Sequence, residues 1–205
     1  MRPLRSYRRL VETAHVMESP VGAADETLAR VATCLRETGI AFAVAGGFAV
    51  LAHGYERFTN DVDLLVGASD LPTAVRVLRA AGFRGGRTPL GARLHDARTG
   101  VRIDLLGTAF QGDERALRRS RRTGACLPVI PADHLVLMKL ESGRSQDDSD
   151  VVGLLKAGVD AASVARYLRR TWPELPPRFR KLAAQARAER MARPRRRAPG
   201  SPRRV

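Results

Sequence analysis

Two aspartates stand two residues apart in the run Asp61-Val62-Asp63-Leu64-Leu65-Val66, which has the composition of a buried β-strand. Successive side chains of a strand point to opposite faces, so both carboxylates leave one face while Val62 and Leu64 enter the core. Two neighbouring like charges repel each other, and holding them side by side is costly unless divalent cations lie between them. Hard oxygen ligands of this kind suit Mg²⁺.

A third carboxylate, Asp104, lies in a second predicted strand over residues 101–106. Alternation along that strand places Arg102, Asp104 and Leu106 on one face. If the two strands are neighbours, the three acids suit two-metal chemistry, in which ions about 4 Å apart stabilise the attacking and leaving oxygens of a phosphoryl displacement. The competing interpretation of Asp-x-Asp alone is a pair of solvated acids that cap a turn.

Two glycines, Gly46 and Gly47, separate a short apolar run at residues 40–45, predicted as a strand, from a helical segment at residues 48–53. A Gly-Gly turn before a helix lets backbone N–H groups approach a phosphate closely, and the helix dipole favours negative charge there. A plain tight turn is the alternative. The combination of this turn with the paired aspartates in one strand, turn, helix, loop, strand unit favours a nucleotide site.

These residues carry a resemblance to a known family. Residues 45–50 (AGGFAV) and 57–64 (RFTNDVDL) resemble the signature of the DNA polymerase β-like nucleotidyltransferase superfamily. Within it, the chain is most similar to the AbiEii-like toxins of abortive-infection toxin–antitoxin systems and to related small bacterial proteins. The resemblance covers residues 40–155. It departs from the wider superfamily at Gly47, where a phosphate-binding serine is common, and this leaves backbone donors to bind phosphate.

The resemblance implies a transferase that moves NMP from an NTP, such as ATP, to an acceptor hydroxyl and releases pyrophosphate. Asp61 and Asp63 would bridge two Mg²⁺ ions, with Mn²⁺ as an alternative, and Asp104 would hold the ion that activates the acceptor. The implied partners are an NTP, a tRNA, other RNA or protein acceptor, and an antitoxin protein. The nucleotide-binding residues implied are Gly46, Gly47, Arg57, Thr59 and Lys139.

Several of these side chains have simpler interpretations. Arg57 could form a surface ion pair with Glu56 or Asp70 instead of binding a triphosphate. Lys139 could extend along its helix to solvent. For the acids at 147, 148 and 150, we expect Asp148 to be an N-cap and its neighbours to lie near the positive helix end, in preference to a metal site. His53 fits a partner of a helix C-terminus better than a nucleotide contact.

The elements around these residues predict an α+β fold, with a small mixed β-sheet of the nucleotidyltransferase type flanked by helices and a helical C-terminal segment. We expect an N-terminal extension (residues 1–22), a catalytic core (23–130), a helical region (131–191) and a disordered basic tail (192–205). Residues 178–205 contain eleven Arg or Lys and one acid, so they hold +10 of the formal net charge of +15. Such a tail suits a polyanionic partner.

No apolar run approaches the roughly 20 residues that span a bilayer, so we expect a cytoplasmic protein without membrane contact. Cys34 and Cys126 are expected to be reduced core thiols. Three functions stay open: an active nucleotidyltransferase with a toxin-like role on tRNA or protein, the same chemistry on a small molecule of the aminoglycoside kind, and a non-catalytic protein that only binds nucleotide or RNA.

Overall fold

The chain was analysed as a computed structural model, which describes residues 20–120 and 127–192. Within these residues the elements follow the order α1 (Pro20–Glu37), β1 (Phe42–Val44), α2 (Gly46–Ala52), β2 (Asp61–Val66), α3 (Leu71–Ala80), β3 (Phe83–Thr88), β4 (Gly91–Asp96), β5 (Arg102–Gly107), α4 (Gln111–Ser120), α5 (Ala132–Ser142), α6 (Ser145–Ala157), α7 (Ala161–Thr171) and α8 (Pro176–Ala192).

The strands form one mixed sheet in the order β1-β2-β5-β4-β3, in which β2 and β5 are parallel and the other neighbours are antiparallel. Helices α1 and α3 pack against one face of the sheet, and α2 and α4 contact its β1 and β2 side. The remaining helices pack on one another beyond α2 and α4. The α+β class predicted from the sequence is therefore confirmed, including the helical C-terminal segment.

Local sequence explains where several elements begin and end. Strand β2 spans the six residues predicted for it, because its alternating polar and apolar side chains fit a half-buried strand. Helix α7 begins after Asp160, whose side chain accepts hydrogen bonds from the N–H groups of Ala162 and Ser163 as an N-cap. Gly39, with φ of 69°, adopts the left-handed conformation expected after α1.

Other expectations are corrected. The two glycines form the first turn of α2, so the helix begins at Gly46, before the predicted residue 48. Residues 127–130, at the end of the predicted catalytic core, form no named strand and join the sheet through a single bridge between Val129 and Val44. Helix α6 begins at Ser145 with Arg144 at its N-cap, so the expectation that Asp148 is the cap is wrong. Strand β3 and helix α4 have no counterpart in the sequence-based prediction.

The predicted N-terminal extension and basic tail, residues 1–22 and 192–205, lie almost entirely outside the described residues, as does Cys126. Cys34 is a free thiol, partly buried on α1. In the part of the chain that the structure describes, no helix is long and apolar enough to cross a membrane. The division into domains stays a prediction.

Candidate active site

The three sequence-predicted carboxylates lie on one face of the two parallel strands. Asp63 on β2 is directly opposite Asp104 on β5, and Asp61 is opposite Arg102. Because directly opposite residues in adjacent strands project to the same face, the chain brings these three carboxylates and the Arg102 guanidinium into one cluster. The apolar neighbours Val62 and Ile103, which alternate with them, are fully buried and fix which face the acids occupy.

Two arginines hold the outer carboxylates. The Arg102 guanidinium forms an ion pair with Asp61 and lies 3.3 Å, Nε to Oδ2, from Asp104. Arg93 on β4, which is opposite Asp104, donates from Nε to Asp104 Oδ1 at 2.7 Å. Both guanidinium groups are substantially exposed, at 56% for Arg93 and 44% for Arg102. Sequence reasoning did not identify Arg93, since its role follows only from the pairing of β4 with β5.

Asp63 differs from the two outer acids because no described side chain forms an ion pair or hydrogen bond with it. Burial, reinforced by the nearby charges of Asp61 and Asp104, raises the pKa of Asp63 from its ordinary 3.8 to about 6. The cations of Lys139 and Arg102 act in the opposite direction but do not cancel this effect. The central carboxylate is therefore short of positive charge.

The glycine turn lies directly against Asp63. Gly46 has φ of 53°, and a Cβ placed there would lie 1.7 Å from Asp63 Oδ2. A Cβ at Gly47 would lie 2.2 Å from Thr59 Oγ1 and 3.0 Å from an Arg57 terminal nitrogen. Glycine at both positions thus allows the start of α2 to approach the carboxylate cluster. No side chain caps α2, and the first N–H groups of a helix have no partner within it.

Thr59 and Arg57 precede β2 and contact different parts of the site. The Thr59 hydroxyl is buried and donates to Asp61 Oδ1 at 3.2 Å. Arg57 does not pair with Glu56 or Asp70 as the surface interpretation predicted. Its Nε lies 2.9 Å from Oδ1 of Asp150, which is fully buried on α6. The helical segment thereby contacts the loop that leads into β2.

Lys139 belongs to the same buried network. Its ammonium group lies 2.6 Å from Asp147 Oδ1 and 2.8 Å from Asp150 Oδ2, and the residue is only 6% exposed. The interpretation that Lys139 extends to solvent is therefore wrong. Arg144 Nε donates to Asp147 Oδ2 at 2.7 Å, and these hydrogen bonds outweigh burial and lower the pKa of Asp147.

The three acids of α6 differ in burial and in the partners they contact. Asp147 and Asp150 are buried partners of Lys139, whereas Asp148 is half-exposed and pairs with Arg178 of α8 at 2.8 Å. Asp147 lies in the first turn of α6, as expected for an acid near the positive helix end, whereas Asp150 lies beyond that turn and pairs with Lys139 of α5 and Arg57 of the β2 loop. These pairings link residues far apart in sequence, so no local pattern indicates them.

Two histidines have structural partners. His53 Nε2 lies 2.8 Å from the carbonyl oxygen of Ile130, and burial lowers the pKa of His53. His134, which belongs to no motif in the sequence, is fully buried, with Nδ1 2.7 Å from the Tyr167 hydroxyl and Nε2 3.0 Å from Asp113. His53 thus links the end of α2 to the segment before α5, and His134 links α5 to α4 and α7. None of these contacts reaches the carboxylates.

The three carboxylates have the chemistry of a cation site without being arranged as one. In the described ranges, no group of three or more His, Cys, Asp or Glu side chains is arranged as a ready metal cluster. The arginine contacts to Asp61 and Asp104 account for this, because they orient those two carboxylates toward guanidinium groups. The donor set itself fits a hard divalent cation: three oxygen ligands share one face, and the central one, Asp63, lacks a cationic partner. Rotation of two exposed arginines would free the outer ligands.

No protein-family model matches the sequence, and no curated protein is significantly similar to it. Solved structures do match in fold. A solution structure of the antibiotic-resistance factor ANT(2'')-Ia has a TM-score of 0.55 at 14% identity, covering 82% of this chain and 97% of its own. A nucleotidyltransferase-like protein of Paracoccidioides brasiliensis has a TM-score of 0.44 at 14% identity, and the match covers 76% of this chain and 91% of that protein.

Terminal uridylyl transferase 4 of Trypanosoma brucei gives a TM-score of 0.38 at 15% identity, covering 76% of this chain and 56% of its own. The likeness in fold rests on the resistance factor, whose TM-score exceeds 0.5. The chain has the nucleotidyltransferase fold, as the resemblance to the polymerase β-like superfamily predicted.

Proposed function

We propose that this protein is a Mg²⁺-dependent nucleotidyltransferase that moves NMP from an NTP to an acceptor hydroxyl. The observation that carries the proposal is the register of Asp63 with Asp104, with Gly46 in contact with Asp63. A partly buried acid that lacks a cation, beside uncapped backbone N–H groups, suits a ligand that is itself a metal-bound polyphosphate.

In this proposal Asp61, Asp63 and Asp104 hold the divalent ions, Mg²⁺ or Mn²⁺, which would stabilise charge on the attacking and leaving oxygens. The backbone at Gly46 and Gly47 binds the phosphates, and Thr59 holds Asp61 in position through its 3.2 Å hydrogen bond. Asp104, on the side of the cluster nearest β4, receives the acceptor hydroxyl and takes its proton.

Arg57 and Lys139 contribute to nucleotide binding through their positive charges and do not contact a solvent-facing phosphate directly. Both are held by Asp150, so their positive charges are fixed near the carboxylates and the glycine turn. Fixed cations stabilise developing negative charge without reorganising during the reaction. Burial raises the pKa of Asp63, and the Lys139 charge acts in the opposite direction by favouring the ionised carboxylate.

The acceptor is tested by incubating the full chain with Mg²⁺, each α-³²P-NTP in turn and a cell extract, then separating RNA, protein and small molecules. We expect label in a macromolecular acceptor. Asp63→Asn is the paired negative control, and label should be absent from every fraction. Label confined to small molecules would support the aminoglycoside-type alternative. Nucleotide binding without any transfer would support a non-catalytic protein.

A toxin role, cytoplasmic action and a neutralising antitoxin complete the proposal. Expression of the wild-type chain in a bacterial host should arrest growth, and expression of Asp61→Asn to the same level should not. Arrest by both proteins would assign the effect to something other than transfer, such as binding of RNA by the basic tail. Rescue by a co-expressed protein would identify the antitoxin.

A further inference from the structure

A row of basic side chains crosses the sheet from the carboxylate cluster to its free edge. Asp61 on β2 is opposite Arg102 on β5, Arg102 is opposite His95 on β4, and His95 is opposite Arg84 on β3. Opposite residues share a face, so all four side chains lie on one surface of the sheet. We name the surface formed by Arg84, His95, Arg93 and Arg102 the basic strip.

The basic strip is open to solvent. Along β4 the exposed residues Arg93 and His95 alternate with the buried Ala92 and Leu94, so helices cover only the opposite face. Arg84 is exposed as well, and in the described residues neither Arg84 nor His95 has a side-chain partner. Arg93 and Arg102 pair with Asp104 and Asp61 of the candidate active site, so the charge that no described acid offsets lies at the outer end of the strip, at Arg84.

We infer that the basic strip binds the phosphate backbone of an RNA acceptor and leads its terminal hydroxyl to Asp104. This inference rests on the proposed function and names the acceptor class for the same site. Four sheet positions at about 4.8 Å spacing extend roughly 14 Å, enough for contact with more than one phosphate. The basic strip is continuous with the candidate active site, because Arg93 and Arg102 belong to the strip and also pair with Asp104 and Asp61.

The chemistry of the strip selects RNA over the other acceptors. A polyanion gains from Arg84 by releasing counterions, because this arginine has no described carboxylate partner. A cationic small molecule is repelled by the same residues, and a protein acceptor has no need of a row of positive charges. Gly86, which is opposite Arg93, leaves the outer part of the surface without a bulky side chain, so a nucleic-acid backbone can approach the sheet closely.

The test compares Arg84→Gln with Arg76→Gln in the full chain. Arg76 is exposed on α3, behind the sheet, so the control removes an equal charge from the opposite side and keeps the tail. Binding of a fluorescent single-stranded RNA is measured by anisotropy across salt concentrations, without NTP or Mg²⁺. We expect Arg84→Gln to weaken binding about fivefold and lower the salt slope by about 0.7, with Arg84→Lys close to wild type.

Equal binding by the Arg84→Gln and Arg76→Gln proteins would overturn the inference, and so would label transfer to protein with RNA binding unaffected by Arg84→Gln. Binding is measured without NTP, so its outcome is independent of catalysis. A chain that binds RNA through Arg84 but transfers no NMP would contradict only the proposed function. A chain that transfers NMP but whose RNA binding is unchanged by Arg84→Gln would contradict only the inference.

Discussion

Asp63 and Asp104 stand directly opposite each other in the parallel pair β2 and β5, and the arginines beside them pair with Asp104 and Asp61 but not with Asp63. The cluster therefore has one acid without a cation between two that are neutralised. This asymmetry distinguishes the cluster from a set of surface ion pairs, in which each acid has a cation beside it.

Asp63→Asn should stabilise the ligand-free protein while abolishing transfer. The folded protein keeps a proton on Asp63 up to about pH 6, whereas the unfolded chain loses it near 3.8. The free energy of unfolding therefore falls as pH rises between these values, and the ionised acid is a cost at neutral pH. We expect Asp63→Asn to raise stability by about 1 to 3 kcal/mol at pH 7 and much less at pH 4. Urea denaturation at the two pH values measures this, and a destabilised variant at pH 7 would indicate a structural acid.

Arg102→Gln should lower the Mg²⁺ concentration needed to occupy the site. Arg102 contacts both Asp61 and Asp104, so it competes with a cation for two of three ligands. The midpoint of Mg²⁺-induced thermal stabilisation, measured with a non-hydrolysable NTP, should shift several-fold lower. Arg98→Gln is the matched control, since Arg98 is an exposed arginine that pairs with Glu26 away from the cluster. A higher midpoint for Arg102→Gln would mean that the arginine assists ligand binding.

Asp150→Asn should destabilise the fold far more than Asp148→Asn on the same helix. Asp150 is fully buried and is the partner of both Arg57 and Lys139, so its loss leaves two cations short of a counter-charge. We expect a loss of about 3 kcal/mol, against less than about 1 for the half-exposed Asp148 pair. Equal effects in urea denaturation would show that Asp150 is not central to the network.

Gly47→Ala should raise the KM for NTP in a folded protein. A methyl group there meets the Thr59 hydroxyl and the Arg57 guanidinium, so the turn and β2 loop must separate slightly. Gly107→Ala is the control, because its Cβ would lie 3.6 Å from a Leu71 methyl group and 3.9 Å from the Leu90 carbonyl oxygen, both ordinary contacts. Steady-state kinetics should give a KM at least about fivefold higher for the first variant alone, the scale of a lost phosphate hydrogen bond. An unchanged KM would place the phosphates elsewhere.

Local patterns predicted the part of the fold that positions the carboxylates. The alternation in residues 61–66 defined β2, and Asp104 could be placed on the same face from its own strand pattern. Strand β3 was not predicted, because its residues FRGGRT are rich in glycine and arginine and lack a strand pattern. These residues form a strand through their pairing with β4. Helix α4 has five charged residues among ten, and its start depends on Asp113 accepting from the N–H of Ala109.

The supporting side chains could not be predicted for a different reason. Arg57 and Asp150 are 93 positions apart, and their pairing follows from how α6 packs beside the β2 loop. Arg93 meets Asp104 only through strand register. Residue type and spacing therefore identified the acids that would carry the chemistry, while the cations that tune them depend on tertiary packing.

The most direct test of the central claim compares ATP labelled at the α phosphorus with ATP labelled at the γ phosphorus, each incubated with the full chain, acceptor RNA and Mg²⁺. The three-carboxylate account predicts that α label enters the RNA while γ label leaves as pyrophosphate. Chelation with EDTA and the Asp61→Asn, Asp63→Asn and Asp104→Asn variants should each remove the α-labelled product. Transfer of γ label to an acceptor, or α-label transfer that persists in all three variants, would contradict the account.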